Sequence, residues 1–212
     1  MIIISHRGYW RLDFEKNQEV AFDRSFSLGF GTETDVRDRN GELVIAHDIP
    51  IESDISFESF CQIYRKYSGN HLLAINIKSD GLAPKLKQIL EKYAIDNYFL
   101  FDMSVPELRA SLAAGLNCYT RVSDVEREPC FYGSSQGIWL DGFYSDWYRP
   151  NDLNRFLRDN KPVCLVSSDL HKRDPLPLWY MLKQAGMQNE PRLMLCTDRP
   201  EDAYIYFFDR EL

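Results

Sequence analysis

The chain has 212 residues, 44% hydrophobic and 27% charged, with a formal net charge of -7. That length suits one well-buried domain, at the short end for an eight-stranded α/β barrel. The acidic balance argues against a broad nucleic-acid-binding surface and leaves room only for a local basic pocket. Apolar runs last only a few residues, so no membrane span or membrane anchoring is expected. Met1 leads straight into a predicted strand, which leaves no room for a signal peptide. The five cysteines (Cys61, Cys118, Cys130, Cys164, Cys196) are odd in number and scattered, with no C-x-x-C spacing. They read as reduced, mostly buried thiols of a cytoplasmic protein.

Along the chain, short apolar, β-branched or aromatic runs alternate with segments of helical period. Strands are predicted at 2–5, 31–36, 72–77, 98–101, 117–122, 137–140, 162–166 and 192–196. An extra extended piece at 42–46 is turned back by Asn40-Gly41. Between the strands, Phe57, Phe60, Cys61 and Tyr64 follow the helical rule behind a Ser56 cap, and Leu82, Leu86, Ile89, Leu90 and Tyr93 do the same. Ser104-x-x-Glu107 is a capping-box pattern ahead of Leu108 and Leu112. Asn151 precedes Leu153, Phe156 and Leu157; Asp174-Pro175 opens a helix that Gly186 closes. The stretch 123–136 is too short and irregular to predict as a helix. With no repeat, low-complexity tract or linker, a single domain spanning 1–212 is expected. In a βα barrel the chemistry lies at the carboxyl ends of the strands. Arg7, Glu33, Asp35, Lys78, Asp102, Asp141 and Asp169 all fall at or near such ends.

The densest polar signal lies in the first 48 positions. His6-Arg7-Gly8 ends the apolar run Ile2-Ile3-Ile4, and His47-Asp48 ends a second run. Glu33 and Asp35 are two apart, so in an extended segment both carboxylates point to one side. Two acids converging inside a barrel mouth repel one another unless a cation neutralises them. Carboxylates suit a hard divalent cation, Arg7 suits a pair of phosphate oxygens, and histidines exchange protons near neutral pH. The pattern points to a phosphate cleaved beside a metal ion.

The order His6-Arg7-Gly8, Glu33-Thr34-Asp35 and Asn40-Gly41-Glu42-Leu43-Val44-Ile45-Ala46-His47-Asp48 resembles the glycerophosphodiester phosphodiesterase family. Asn76-Ile77-Lys78 stands where that family has Glu-x-Lys, and Cys196-Thr197-Asp198-Arg199-Pro200 fits near the end. The resemblance implies a TIM (β/α)8 barrel of the phospholipase-C-like phosphodiesterase type. It implies one Mg²⁺ or Ca²⁺ held by Glu33, Asp35 and Asn76, phosphate held by Arg7 and Lys78, and acid–base work by His6 and His47. The expected reaction converts a glycerophosphodiester, a small molecule, to glycerol phosphate and an alcohol.

Asn76 departs from the family pattern: a neutral amide replaces an acid, and the ligand charge falls from about -3 to about -2, which weakens a cation site. Asp102 is a candidate for the missing carboxylate. The segment 49–71 is shorter than the usual insertion, and 163–168 lacks a tryptophan often found there. A weakly active or non-catalytic barrel that binds a phosphorylated ligand is therefore the competing reading. A lipid-cleaving relative resembling sphingomyelinase D is a third, and it requires an apolar rim of which this acidic chain gives little sign. His71 and His171 read as surface histidines and Asp198 as the cap of the last helix. Tyr144, Trp147 and Tyr148 fit a pocket wall as well as core.

Overall fold

The computed structural model describes residues 1–208. Nine strands form one sheet: β1 (Ile2–Ser5), β2 (Gly31–Arg39), β3 (Glu42–Ile45), β4 (Leu73–Ile77), β5 (Tyr98–Phe101), β6 (Tyr119–Val122), β7 (Gly137–Leu140), β8 (Val163–Val166) and β9 (Leu193–Thr197). Eight of them run in the order β5-β4-β2-β1-β9-β8-β7-β6, and every neighbouring pair in that path is parallel. β3 folds back antiparallel on the far end of β2, through Asn40 and Gly41 at positive φ. A single parallel bridge between Leu100 and Cys118 brings the two ends of the path together. The result is a nearly closed TIM barrel. The predicted strands are all present, with ends displaced by a residue or a few.

The helices are α1 (Glu19–Ser27), α2 (Phe57–Arg65), α3 (Ala83–Lys92), α4 (Val105–Ala113), α5 (Pro150–Arg158), α6 (Leu176–Gln184) and α7 (Pro200–Phe208). No helix joins β6 to β7 among the described residues. Ser56 Oγ caps α2 by accepting from the Ser59 amide at 3.0 Å, and Ser104 Oγ accepts from the Glu107 amide at 3.2 Å. Glu107 itself departs from the capping box. Its buried carboxylate reaches across to α3 and accepts from the amides of Gly81, Leu82 and Ala83 at 2.7, 3.1 and 3.1 Å. Three free amides at a helix start are a better partner for a buried anion than one.

Side-chain parity then fixes what faces the barrel axis. Ile4, Ala74, Phe99, Phe101, Tyr119, Trp139, Cys164, Val166, Met194 and Cys196 form one interior cluster. Tyr119 stacks on Phe99 and Trp139 on Phe101, with centroids 3.9 and 3.7 Å apart. The alternate residues of the same strands pack outward beneath the helices. Because the strand period is two, continuing the inward set by one step reaches His6, Asn76, Asp141, Ser168 and Asp198, and by two steps Lys78. Apolar filling thus gives way to polar side chains at the carboxyl end.

Candidate active site

Glu33 and Asp35 lie on β2, both 1% exposed, in the interior just below the barrel mouth. The strand before them supplies the next groups. After Ser5 the backbone turns sharply, with Arg7 and Gly8 both in the left-handed region (φ 56° and 78°). Gly8 has no alternative there, since a Cβ would sit 2.8 Å from Ala21 Cβ and 2.9 Å from its backbone carbon. The turn aims the Arg7 amide at Glu33 Oε2 (2.9 Å) and places Arg7 Nε 3.1 Å from Asp35 Oδ2. A non-glycine residue in this region costs of order 1–3 kcal/mol and persists where surroundings enforce it.

His6 is held on the β9 side. Its backbone N–H donates to the Thr197 carbonyl at 3.0 Å, and Nδ1 donates to Asp198 Oδ1 at 2.7 Å. Nε2 is left facing Glu33 Oε2 at 3.9 Å. Asp198 is fixed in turn by Asp169, whose Oδ2 accepts from the Asp198 amide (2.7 Å) and from Thr197 Oγ1 (2.9 Å). Asp198 therefore orients a histidine, a role the capping expectation missed. An acid aligned with the inward parity of β9 was the available signal.

Asn17 was also missed. Buried and at φ 59°, it donates from Nδ2 to Asp35 Oδ2 at 2.8 Å and accepts from Thr34 Oγ1 at 3.0 Å. It lies in a loop without periodicity, so nothing in its local sequence marks it. Lys78 leans on carboxylates, with Nζ 3.4 Å from Asp35 Oδ1 and 3.9 Å from Asp102 Oδ2. Asp102 is also paired with Arg121, so it is engaged by two cations.

His47 is on the other flank. It follows β3, is partly exposed, and pairs its Nδ1 with Asp48 Oδ1 at 2.9 Å. Its carbonyl accepts from Arg37 Nε at 3.1 Å, which ties the loop to β2. Arg7, Asn17, Lys16 and His47 line one cleft of about 370 Å³; His6 lies outside its lining. The predicted His6, Arg7, Glu33, Asp35, Asn76 and Lys78 are thus brought together, whereas His47 shares only a cleft lining with Arg7 and pairs its side chain with Asp48. Of the remaining candidates, His171 is no free surface group, because its Nε2 bonds Asp141 Oδ1 at 2.7 Å. Tyr148 is core, Tyr144 is exposed, and Trp147 lies beneath the Arg127 guanidinium.

The electrostatics follow from burial and from these partners. Glu33 is pushed up to about 7, first by burial and then by the Asp35 charge, against the opposing pull of His6 and Arg7. Asp35 is also penalised by burial, yet Lys78, Arg7 and the Asn17 hydrogen bond outweigh this and hold it below the usual carboxylate range. Burial alone would lower His6. The Asp198 hydrogen bond and the charges of Glu33 and Asp198 override it, and the net shift is upward.

The same atoms test whether a cation fits. Asp35 and Asn76 are paired across β2 and β4, and the Oδ1 atoms of both are buried without a hydrogen-bond partner. Glu33, a carboxyl that burial keeps from ionising freely, stands two residues from Asp35 on the same side. Oxygen donors only, with two of them unsatisfied, suit a hard divalent ion. No cluster of three or more His, Cys, Asp or Glu side chains with metal-holding geometry occurs among the described residues. Any such site therefore depends on the Asn76 amide.

The chain matches no protein-family model and no curated protein sequence. Solved structures do match. One from Galdieria sulphuraria, provisionally assigned as a glycerophosphodiester phosphodiesterase, shares 14% identity at a TM-score of 0.78, over 97% of this chain and 97% of that one. A glycerophosphodiester phosphodiesterase from Agrobacterium tumefaciens str. C58 shares 14% identity at a TM-score of 0.75, over 97% and 98%. At such identities the likeness shows a common barrel fold.

Proposed function

We propose that this protein is a phosphodiesterase that hydrolyses a glycerophosphodiester to glycerol phosphate and an alcohol. The observation that carries this reading is the Asp198–His6 pair set beside Glu33, Asp35 and Arg7 at the carboxyl end of the barrel. The fold shared with two structures named for that activity supports it. A binding site alone has no need of an oriented histidine.

In this reading Arg7, turned from Asp35 toward the cleft, binds the phosphoryl oxygens as a two-pronged donor, and Lys78 adds positive charge. One histidine accepts the proton of the attacking group, water or the substrate's own glycerol hydroxyl, as its oxygen bonds to phosphorus. The other protonates the departing alkoxide as its P–O bond breaks. Asp198 keeps the His6 Nδ1 protonated, so Nε2 is the nitrogen that exchanges. Glu33, Asp35 and the Asn76 carbonyl would hold Mg²⁺ or Ca²⁺, which when bound supplies neutralising charge at the phosphate. Five unpaired thiols accord with a cytoplasmic setting.

One observation favours a second reading, phosphate binding with little turnover: Asn76 leaves only two acids for the cation. A panel of glycerophosphodiesters, assayed for glycerol phosphate release with Mg²⁺, Ca²⁺ or a chelator, separates the two. Release that the chelator abolishes and either ion restores is expected. Absence of release from every diester, with phosphate monoester binding intact, would leave the binding reading in place of hydrolysis.

A further inference from the structure

Four neighbouring strand ends on one side of the barrel mouth carry a chain of polar contacts that runs well past His6. β1, β9, β8 and β7 follow one another in the sheet. His6, just beyond β1, is bonded to Asp198 just beyond β9 at 2.7 Å. The Asp198 amide and the Thr197 hydroxyl are bonded to Asp169, beyond β8, at 2.7 and 2.9 Å. Asp169 shares one short 3-10 turn, Ser168–His171, with His171. The His171 ring then donates from Nε2 to Asp141 Oδ1, beyond β7, at 2.7 Å. Each step crosses one strand.

The far end of this chain is built as an anchor. The Asp141 amide donates to the Val122 carbonyl at 2.9 Å, so the ladder, and with it the inward parity of β7, continues through this residue. Asp141 is 6% exposed, and its Oδ1 also accepts from the Gly142 amide at 2.7 Å. A buried carboxylate is costly to leave short of donors, so the ring that supplies one is firmly held. Phe143 packs against that ring, with centroids 5.3 Å apart and planes at 61°. Ser168 Oγ and Arg173 Nη1, both on Asp146 Oδ1 at 2.9 and 3.1 Å, fasten the flanks of the turn to the same loop after β7.

Asp169 depends on such a frame. Among the described residues its Oδ2 alone is bonded, and Oδ1 is buried with no partner. The backbone of the turn therefore decides whether Oδ2 meets the Asp198 amide. A histidine that moves protons loses rate steeply when displaced, on the order of 10²-fold for a shift of about 1 Å. The groups that hold it from behind matter accordingly.

We propose that His171, anchored on Asp141, is a positioning residue that fixes the turn after β8, so that Asp169 holds Asp198 and Asp198 holds His6 in place for proton transfer. His171 itself carries no proton in the reaction. The inference deepens the phosphodiesterase reading, and its rate predictions alone rest on that reading.

Two substitutions test it. His171→Leu removes the N–H donor, whereas His171→Gln keeps one and cannot act as an acid or base. Each is compared with wild type in turnover of a glycerophosphodiester and, by NMR hydrogen exchange, in protection of the Asp198 amide. His171→Leu should lower kcat roughly tenfold, the other pins of the turn sparing the rest, with KM nearly unchanged because Arg7 and Lys78 lie outside the turn. The Asp198 amide should exchange roughly tenfold faster. His171→Gln should recover most of both. Asp169→Ala should cost at least as much as His171→Leu, and combining the two should cost little more, because they act in series. If His171→Leu does not fold, His171→Leu/Asp141→Asn, which removes the stranded charge, takes its place with the same expectations. Loss of turnover in His171→Gln with Asp198 protection intact would make His171 a proton carrier and overturn the proposal. Wild-type exchange of the Asp198 amide without the His171 donor would overturn it as well. A wild type that cleaves no diester removes the phosphodiesterase reading alone, and the exchange rates still decide whether His171 positions Asp198.

Discussion

Asn76 lies directly across the β2–β4 ladder from Asp35, and each presents a buried Oδ1 atom with no hydrogen-bond partner. The amide oxygen is orphaned, at a cost of about 1–3 kcal/mol when nothing binds it, whereas the Asp35 oxygen has the Lys78 ammonium 3.4 Å away. In the proposed reading a cation would satisfy the amide oxygen and share Asp35 with Lys78. Replacing the amide by an acid should therefore strengthen the interaction: Asn76→Glu is expected to tighten Mg²⁺ or Ca²⁺ binding roughly tenfold or more by ligand charge. Isothermal titration of either ion into both proteins reads this directly. Unchanged affinity would show that position 76 does not face the ion.

The Asp198–His6 bond makes a prediction about pH. His6→Ala and His47→Ala should each reduce turnover by about 10²–10⁴-fold, and the double variant by much less than the product, because both serve one step. Asp198→Asn removes the carboxylate charge that raises His6 and weakens the hydrogen bond to it. The His6 limb of the pH–rate profile should then move to lower pH, whether the residue serves as acid or base. A profile unmoved in Asp198→Asn would remove Asp198 from any role in orienting the histidine.

Glu33 carries a stability cost with a definite sign. Below about pH 4.5 it is protonated in both folded and unfolded chains and costs nothing. Between there and about 7 the unfolded chain ionises first, so stability falls as pH rises; above about 7 the whole penalty is present. In a chelating buffer near pH 8, Glu33→Gln should raise Tm by on the order of 5 °C, with little effect near pH 4. Adding Mg²⁺ should stabilise wild type and close the gap. Equal melting of the two proteins across the whole range would mean Glu33 is not strained.

Asn17 combines a left-handed backbone with two buried hydrogen bonds, and two substitutions separate them. Asn17→Gly keeps the backbone conformation and deletes the bonds to Asp35 and Thr34; Asn17→Ala loses both. Asn17→Ala should be the less stable in urea, by about 1 kcal/mol relative to Asn17→Gly. Both should lower turnover more than they raise KM, since Asp35 loses a fixed partner. Wild-type kcat in both variants would make Asn17 purely a loop residue.

The barrel was legible because its signals are periodic. Runs such as Leu73-Ala74-Ile75 and Leu193-Met194-Leu195-Cys196 are buried on both faces, and the helices between them repeat at helical spacing. The inward aim of Glu33 and Asp35 followed from their separation by two. What stayed hidden depends on contacts between distant segments. Asp198 meets His6 across 192 positions, and Glu107 looked like part of its own capping box until the start of α3 came within reach. Asn17 sits in a loop whose course is set by the close approach of Gly8 to Ala21.

The incomplete β5–β6 closure bears on the order in which the molecule comes apart. Among the described residues the seam is held by the Leu100–Cys118 bridge, the Leu100 amide on the Asn117 carbonyl, the Phe99–Tyr119 stack and the Asp102–Arg121 pair, and no helix covers the β6–β7 connection. The strands that carry or lead into His6, Glu33, Asp35, Asn76 and Asp198 are contiguous in the sheet path, with β1 and β9 at its centre and β4 beside the β5 edge. Hydrogen exchange should accordingly release the amides of β6 at a lower opening free energy than those of β1 and β2. The half built on β1, β2 and β9 then outlasts the seam as a cooperative unit, so a partly opened molecule keeps most of its polar centre assembled after β6 has begun to part.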